Sequence, residues 1–161
     1  MIYDSWDILT DPNPKLRKRS EEFDVKKVKT ADFQKFADRF ADFMLESDGV
    51  GLAAPQIGFQ KRIIAVQEKD GVGVYVNPEI VKTSPSMQEG EEGCLSVPGK
   101  FGIVERHKRI HVRAIDRHGR RVEFKLAGFP AVVWQHETDH LNGILFIDKV
   151  KTWTEGGKTK V

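Results

Sequence analysis

Between Phe33 and Met44, apolar residues recur at three- and four-residue spacing through Phe36, Ala37, Phe40 and Phe43. That is the period of one helix face, so an amphipathic helix is predicted whose phenylalanines meet a core. Thr30 is placed to cap it, Asp32 falls in its first turn, and Asp48-Gly49 ends it. Further along, the period changes to two. Residues 62–66 and 73–76 predict strands joined by the polar turn Lys69-Asp70-Gly71; Asn77-Pro78 breaks the second, and 79–83 forms a further short strand. Residues 109–116 alternate, with Ile110, Val112 and Ala114 on one face and His111 and Arg113 on the other; 121–126 alternate again, which predicts a hairpin. A third pattern follows Gly128. Phe129, Val132, Val133, Trp134 and Leu141 spread apolar surface around more than one side, as expected of a helix buried beneath strands. Pro130 suits its first turn, Asn142-Gly143 stops it, and residues 144–147 form a short buried segment. One domain over 1–150 is expected, with 151–161 a short flexible tail.

Composition narrows this picture. A chain of 161 residues suffices for one substantial core. No apolar run reaches the roughly 18 residues of a membrane span, and the acidic start, Tyr3-Asp4-Ser5-Trp6-Asp7, does not resemble a secretory or transit segment. A net charge of +2, with acids and bases interspersed, argues against a dedicated nucleic-acid binder. The single cysteine, Cys94, excludes an internal disulfide and fits a reducing, cytoplasmic setting.

Chemistry enters with the buried helix. His136 and His140, four positions apart, lie one turn apart on one face, within reach of one metal ion. Glu137, on the same turn, is placed to take a proton from a water activated there. A buried helix that merely carries two histidines satisfies the same pattern, and a site needs a third ligand. His107, His111 and His118 fall on polar faces or turns and read as solvated. Cys94 sits between Gly93 and Leu95 in a glycine-rich, acidic stretch, 89–99, that reads as a rigid loop presenting the thiol. Neighbouring carboxylates weaken a thiol as a nucleophile, whereas a divalent ion binds it as thiolate, so a ligand role is favoured. Upstream, 49–58 holds three glycines and two alanines, which suits a tight turn or close approach by a substrate backbone. Gln56, a polar residue in that stretch, is a candidate donor to a developing oxyanion.

Three segments together resemble the peptide deformylases: Gly49-x-Gly51-x-Ala53-Ala54-x-Gln56, Glu92-Gly93-Cys94-Leu95-Ser96 and Gln135-His136-Glu137-x-Asp139-His140. The likeness extends from Leu9-x-x-Pro12 to about Asp148. It implies an α+β fold in which antiparallel sheets wrap a central helix carrying the His-Glu-x-x-His motif, with an N-terminal amphipathic helix beside them. It implies a metal-dependent hydrolase that takes the N-formyl group from the methionine of nascent peptides. Cys94, His136 and His140 would hold one divalent ion, Fe(II) foremost, with Zn, Ni or Co able to replace it. Glu137 would act as general base, with Gln56 and the N–H of Leu95 as oxyanion donors. Val50, Gly51, Phe129, Val132 and Val133 would line the substrate site, and Asp139 paired with Arg106 would brace the helix. A zincin-type zinc endopeptidase is the alternative, and its third ligand would lie downstream of the helix. The segment after Asp148 shows no helical pattern, so weak or absent ribosome docking through the C-terminus is expected, as are a monomer, no membrane contact and no direct nucleic-acid contact.

Overall fold

A computed structural model describes residues 5–155 and Val161. It has an α+β fold with two antiparallel sheets and, among the described residues, two α-helices. The larger sheet comprises β1 (Gly51–Ala53), β2 (Ile63–Glu68), β3 (Gly71–Thr83), β6 (Arg109–Asp116) and β7 (Arg121–Ala127), in the order β1-β2-β3-β6-β7. The smaller comprises β4 (Met87–Cys94), β5 (Val97–His107) and β8 (Val150–Thr154), in the order β4-β5-β8.

The helices follow their apolar patterns. Helix α1 (Ala31–Glu46) starts at Thr30, whose hydroxyl accepts from the Phe33 N–H, and buries Phe33, Phe36, Ala37, Phe40, Phe43 and Met44. These residues pack on Ile63, Ala65, Val74 and Val76, one face of the larger sheet. The other face, with Ile64, Val66, Tyr75, Ile110 and Val112, meets Ala131, Val133, Trp134 and Leu141 of helix α2 (Phe129–Leu141). Covering on both faces explains why β2 reads as an unbroken apolar run: successive residues serve different cores. Helix α2 also contacts β5. Beside it a third cluster forms from Leu16, Cys94, Val97, Val104, Leu145 and Phe146.

Three expectations are corrected. The stretch 89–99 is not a loop: β4 and β5 form a hairpin, and Cys94 stands at its turn, facing Val97 across the ladder. Asn77-Pro78 does not break a strand; β3 runs through it with a register shift, and Asn77 takes a positive φ of 49° while its side chain pairs with the Phe23 backbone. Nor does a tail begin at 151, because Val150–Thr154 pairs with β5. Val161 is buried in the second cluster, with its N–H on the Gly93 carbonyl, and the intervening part of the proposed tail lies outside the described residues.

Candidate metal centre

Helix α2 is held in place by side chains as well as by its apolar faces. The Gln135 amide accepts from the His107 N–H at 3.0 Å and donates to the His107 carbonyl at 2.9 Å, tying the helix to β5 as another strand would. Arg62, almost fully buried, donates to the Leu141 carbonyl at 2.9 Å and caps the negative end of the helix. With the helix so fixed, His136 and His140 point the same way. Their Nε2 atoms lie 3.2 Å apart, and Cys94 Sγ lies 3.3 Å from His140 Nε2.

These three atoms form the one group of potential metal donors found among the described residues. Metal–nitrogen bonds of roughly 2.0–2.1 Å and metal–sulfur bonds near 2.3 Å would set tetrahedral donor pairs about 3.3–3.6 Å apart. The spacing therefore fits a single ion. The tautomers fit as well: His136 Nδ1 is 2.8 Å from the Glu92 carboxylate, so its proton belongs there and its Nε2 lone pair is free. Burial, with the neighbouring His136 adding to it, pushes the His140 pKa well down, which keeps that ring neutral and ready to coordinate. Burial likewise pushes the Cys94 thiol up to about 12, with Glu137 contributing. The thiol thus needs a cation to become thiolate, which favours a ligand over a free nucleophile.

Glu137 is fully buried, and neither of its carboxylate oxygens has a hydrogen-bond partner. Burial first, and the Glu92 charge second, raise its pKa well above the usual range. A carboxylate left unsatisfied in a core calls for a role. Its space is provided by Gly51: a Cβ there would stand 2.9 Å from Glu137 Cδ. Of the two readings of the small-residue stretch, a tight turn with close packing or close approach by a substrate backbone, Gly51 shows close packing, and its close neighbour is the Glu137 carboxylate. Gln56, buried behind β1, accepts from the Ala53 N–H through Oε1 at 2.9 Å and points Nε2 toward Cys94 Sγ at 3.7 Å. Leu95 follows Cys94 in the hairpin turn.

Arg106 and Asp139 meet at 2.6 Å, but Arg106 also makes a bidentate pair with Glu92 at 2.9 Å through each contact. Glu92 is the residue whose role sequence reasoning missed: it was quoted in the motif and among the acids near the thiol, with no function given to it. Burial alone would push its carboxyl up; hydrogen bonds from Arg106 and His136 outweigh that and hold it at about 2. Its signal lay in the pairing of β4 with β5, which places Glu92 and Arg106 on one face. Three of the five proposed pocket residues divide between two hollows, and Val50 and Gly51 line neither. Phe129 and Val132 line a cavity of about 200 Å³ with Gln88, Gly90, Glu92 and Val104. Val133 faces another of about 260 Å³ with Phe124, Leu126 and Trp134, and Val50 packs against that second cluster. His107 is half-buried and bonded to the Ser84 carbonyl through Nδ1, His111 pairs with Glu123, and neither joins the metal group.

An α+β scaffold that converges two histidines of one helix and an upstream cysteine beside an unpartnered buried glutamate presents the donor set that three-ligand catalytic metal sites use. Comparison with known proteins narrows that class. Residues 6–155 match the family model described as polypeptide deformylase, and the chain belongs to that family. It is 45% identical over 147 residues to the peptide deformylase of Desulforudis audaxviator, a match spanning 90% of this chain and 93% of the relative. The fold is similar to the crystal structure of peptide deformylase from Thermotoga maritima, with a TM-score of 0.86 and 40% identity over 91% of this chain and 97% of that one. It is similar also to a class I type b peptide deformylase from Acinetobacter baumannii solved with Met-Ala-Ser bound, at TM-score 0.87 and 36% identity over 92% and 100% of the two chains.

Proposed function

We propose that the chain is a metal-dependent hydrolase that removes the N-formyl group from the N-terminal methionine of newly synthesised proteins, releasing formate. The observation that carries this reading is the convergence of Cys94 Sγ, His136 Nε2 and His140 Nε2 beside the unpartnered Glu137 carboxylate. The wrapping of both sheets around α2, with amphipathic α1 outside, keeps that cluster dry and rigid. Cys94, His136 and His140 would hold one divalent ion, which would supply the acidity that makes water a nucleophile at neutral pH. Glu137 accepts the proton of the attacking water as oxygen adds to the formyl carbon. Nε2 of Gln56 and the Leu95 N–H donate to the oxygen on which negative charge grows. Glu137 then passes its proton to the departing nitrogen, the C–N bond breaks, and formate and a free methionyl amine result. Phe129 and Val132 supply apolar walls for the methionine side chain, with Val50, Gly51 and Val133 on the approach. The A. baumannii relative holds a peptide beginning with methionine, which is what remains after such a cleavage.

Iron(II) is the ion proposed, and zinc, nickel or cobalt suit the same thiolate and imidazole donors. The upstream cysteine separates this reading from a zincin endopeptidase. No helix among the described residues is long and apolar enough to cross a membrane. A cytoplasmic, monomeric enzyme with weak or no ribosome docking through its C-terminus completes the proposal. Its test is formate release from a formyl-methionyl peptide by anaerobically purified protein, with metal content measured on the same sample. Glu137→Gln is expected to keep its metal and lose roughly 10²–10⁴-fold in kcat. Metal-replete wild-type protein that releases no formate would overturn the reading.

A further inference from the structure

In the segment Glu92-Gly93-Cys94-Leu95-Ser96, the side chain of Ser96 has no part in the proposed reaction. Ser96 is fully buried, and its hydroxyl accepts from Nε2 of Gln56 at 3.0 Å. The Gln56 amide is nearly symmetric in shape, so hydrogen bonds alone decide how it lies. The Ala53 N–H can only donate; at 2.9 Å it fixes Oε1, and therefore which end of the amide faces the metal donors. One N–H of Nε2 is spent on Ser96, and the second points toward Cys94 Sγ at 3.7 Å, the side of the amide that faces the metal donors.

The backbones of the two residues are tied as well. The Leu9 N–H donates to the Gln56 carbonyl at 2.7 Å, and the Asp11 N–H donates to the Ser96 carbonyl at 2.8 Å. A single stretch of chain, Leu9-Thr10-Asp11, thus clamps both residues from outside the site. This gives the Leu9-x-x-Pro12 part of the sequence pattern a physical purpose. A donor serves a transition state only if it needs no reorganisation when charge develops, and an amide held at Oε1 by Ala53 and at Nε2 by Ser96, on a residue whose backbone is itself tied, meets that condition.

We infer that Ser96 is a positioning residue acting through Gln56: its hydroxyl, with the Leu9–Asp11 clamp behind it, holds the amide so that its other N–H, the one on the Cys94 side, is presented to the substrate oxygen. The inference rests on the proposed deformylation for its kinetic arm only. Ser96→Ala, Gln56→Ala and the double variant are compared with wild type in formate release. Loss of one neutral hydrogen bond predicts about a tenfold fall in kcat for Ser96→Ala, with KM moving by less than about twofold. In the Gln56→Ala background the same substitution should change kcat by less than about twofold, because the residue it acts through is gone. An equal loss in both backgrounds overturns the inference. The second arm reads the amide directly in the zinc-loaded protein, which is diamagnetic. The side-chain N–H signals of Gln56, assigned by their absence in Gln56→Ala, should exchange with solvent at least about tenfold faster in Ser96→Ala. Unchanged exchange overturns the inference whether or not formate is released. Absence of formate from wild-type protein with faster exchange in the variant would instead sink the deformylation reading and leave the lock standing.

Discussion

Gly51 and Glu137 are a pair that neither residue explains alone. A buried carboxylate with no hydrogen-bond donor is costly, and its pKa is raised accordingly. The carboxylate fits because the opposing strand carries hydrogen where any other residue carries Cβ. Gly51→Ala would set that carbon 2.9 Å from Glu137 Cδ and 3.0 Å from Cγ, so the carboxylate must shift. A shift on the order of 1 Å at a catalytic group costs about 10²-fold in rate. The expectation for Gly51→Ala is therefore kcat reduced roughly 10²-fold with metal content unchanged, since none of the three donors is touched. Full activity in this variant would mean that Glu137 moves freely and that the glycine serves another end.

At the scale of elements, the hairpin β4–β5 and the helix α2 are joined through Arg106. Its guanidinium reaches Glu92 on β4 and Asp139 on α2, and Glu92 in turn holds His136 Nδ1. Lys149 adds a second cation to Asp139 at 2.9 Å. Arg106→Ala leaves a buried Glu92 without its main partner, for which about 3–5 kcal/mol of destabilisation is expected in denaturant unfolding. Metal affinity should fall roughly 10–100-fold, because the carboxylate that orients His136 is no longer oriented itself. The same network predicts acid sensitivity. Glu92 is held at about 2 in the folded chain against an ordinary 4.5, so its contribution is complete above pH 4.5 and fades as pH falls toward 2. Unfolding followed against pH should show this loss in wild type and lack it in Glu92→Gln. These elements differ in how plainly the sequence announces them. Both helices and the β6–β7 hairpin bury one coherent pattern each, and their boundaries were legible to within a few residues. The β4–β5 hairpin was not, because Glu89, Gly90, Glu91 and Gly93 offer no alternation for a strand whose outer face is solvated. His136, His140 and Glu137 were legible as a group from residue chemistry at short spacing, whereas Cys94, 46 residues before His140, was reached from its acidic neighbours and the family motif. Glu92 as a partner of His136, and Ser96 behind Gln56, depend on contacts 44 and 40 residues apart in the chain, which no local pattern encodes.

For the whole molecule the remaining question is what the ion does for the fold. Its three donors come from β4 and α2, so loading cross-links segments that already pack through separate apolar clusters. The clusters around α1 and on the inner face of the larger sheet contain no donor, and only Cys94 belongs to the third. Chelated protein should therefore stay folded, with helical circular dichroism retained and a single cooperative melt. An ion that binds only the folded state stabilises it by about 2.7 kcal/mol at a free concentration 100-fold above Kd, which for a domain of this size raises Tm by roughly 5–10 °C. Loading must also carry a proton signature. The buried Cys94 thiol sits at about 12 without an ion and must ionise to bind one. At neutral pH it gives up its proton on coordination, so affinity should fall about tenfold for each unit of pH lowered. His140, already neutral through burial, adds nothing to that slope. Titration calorimetry in buffers of different ionisation enthalpy measures the released proton, and Cys94→Ser should abolish that component and weaken binding together. If the variant released the same proton and bound as tightly, the ion would have to be held by the histidines without Cys94, and the link between the hairpin turn and the helix would be apolar packing alone.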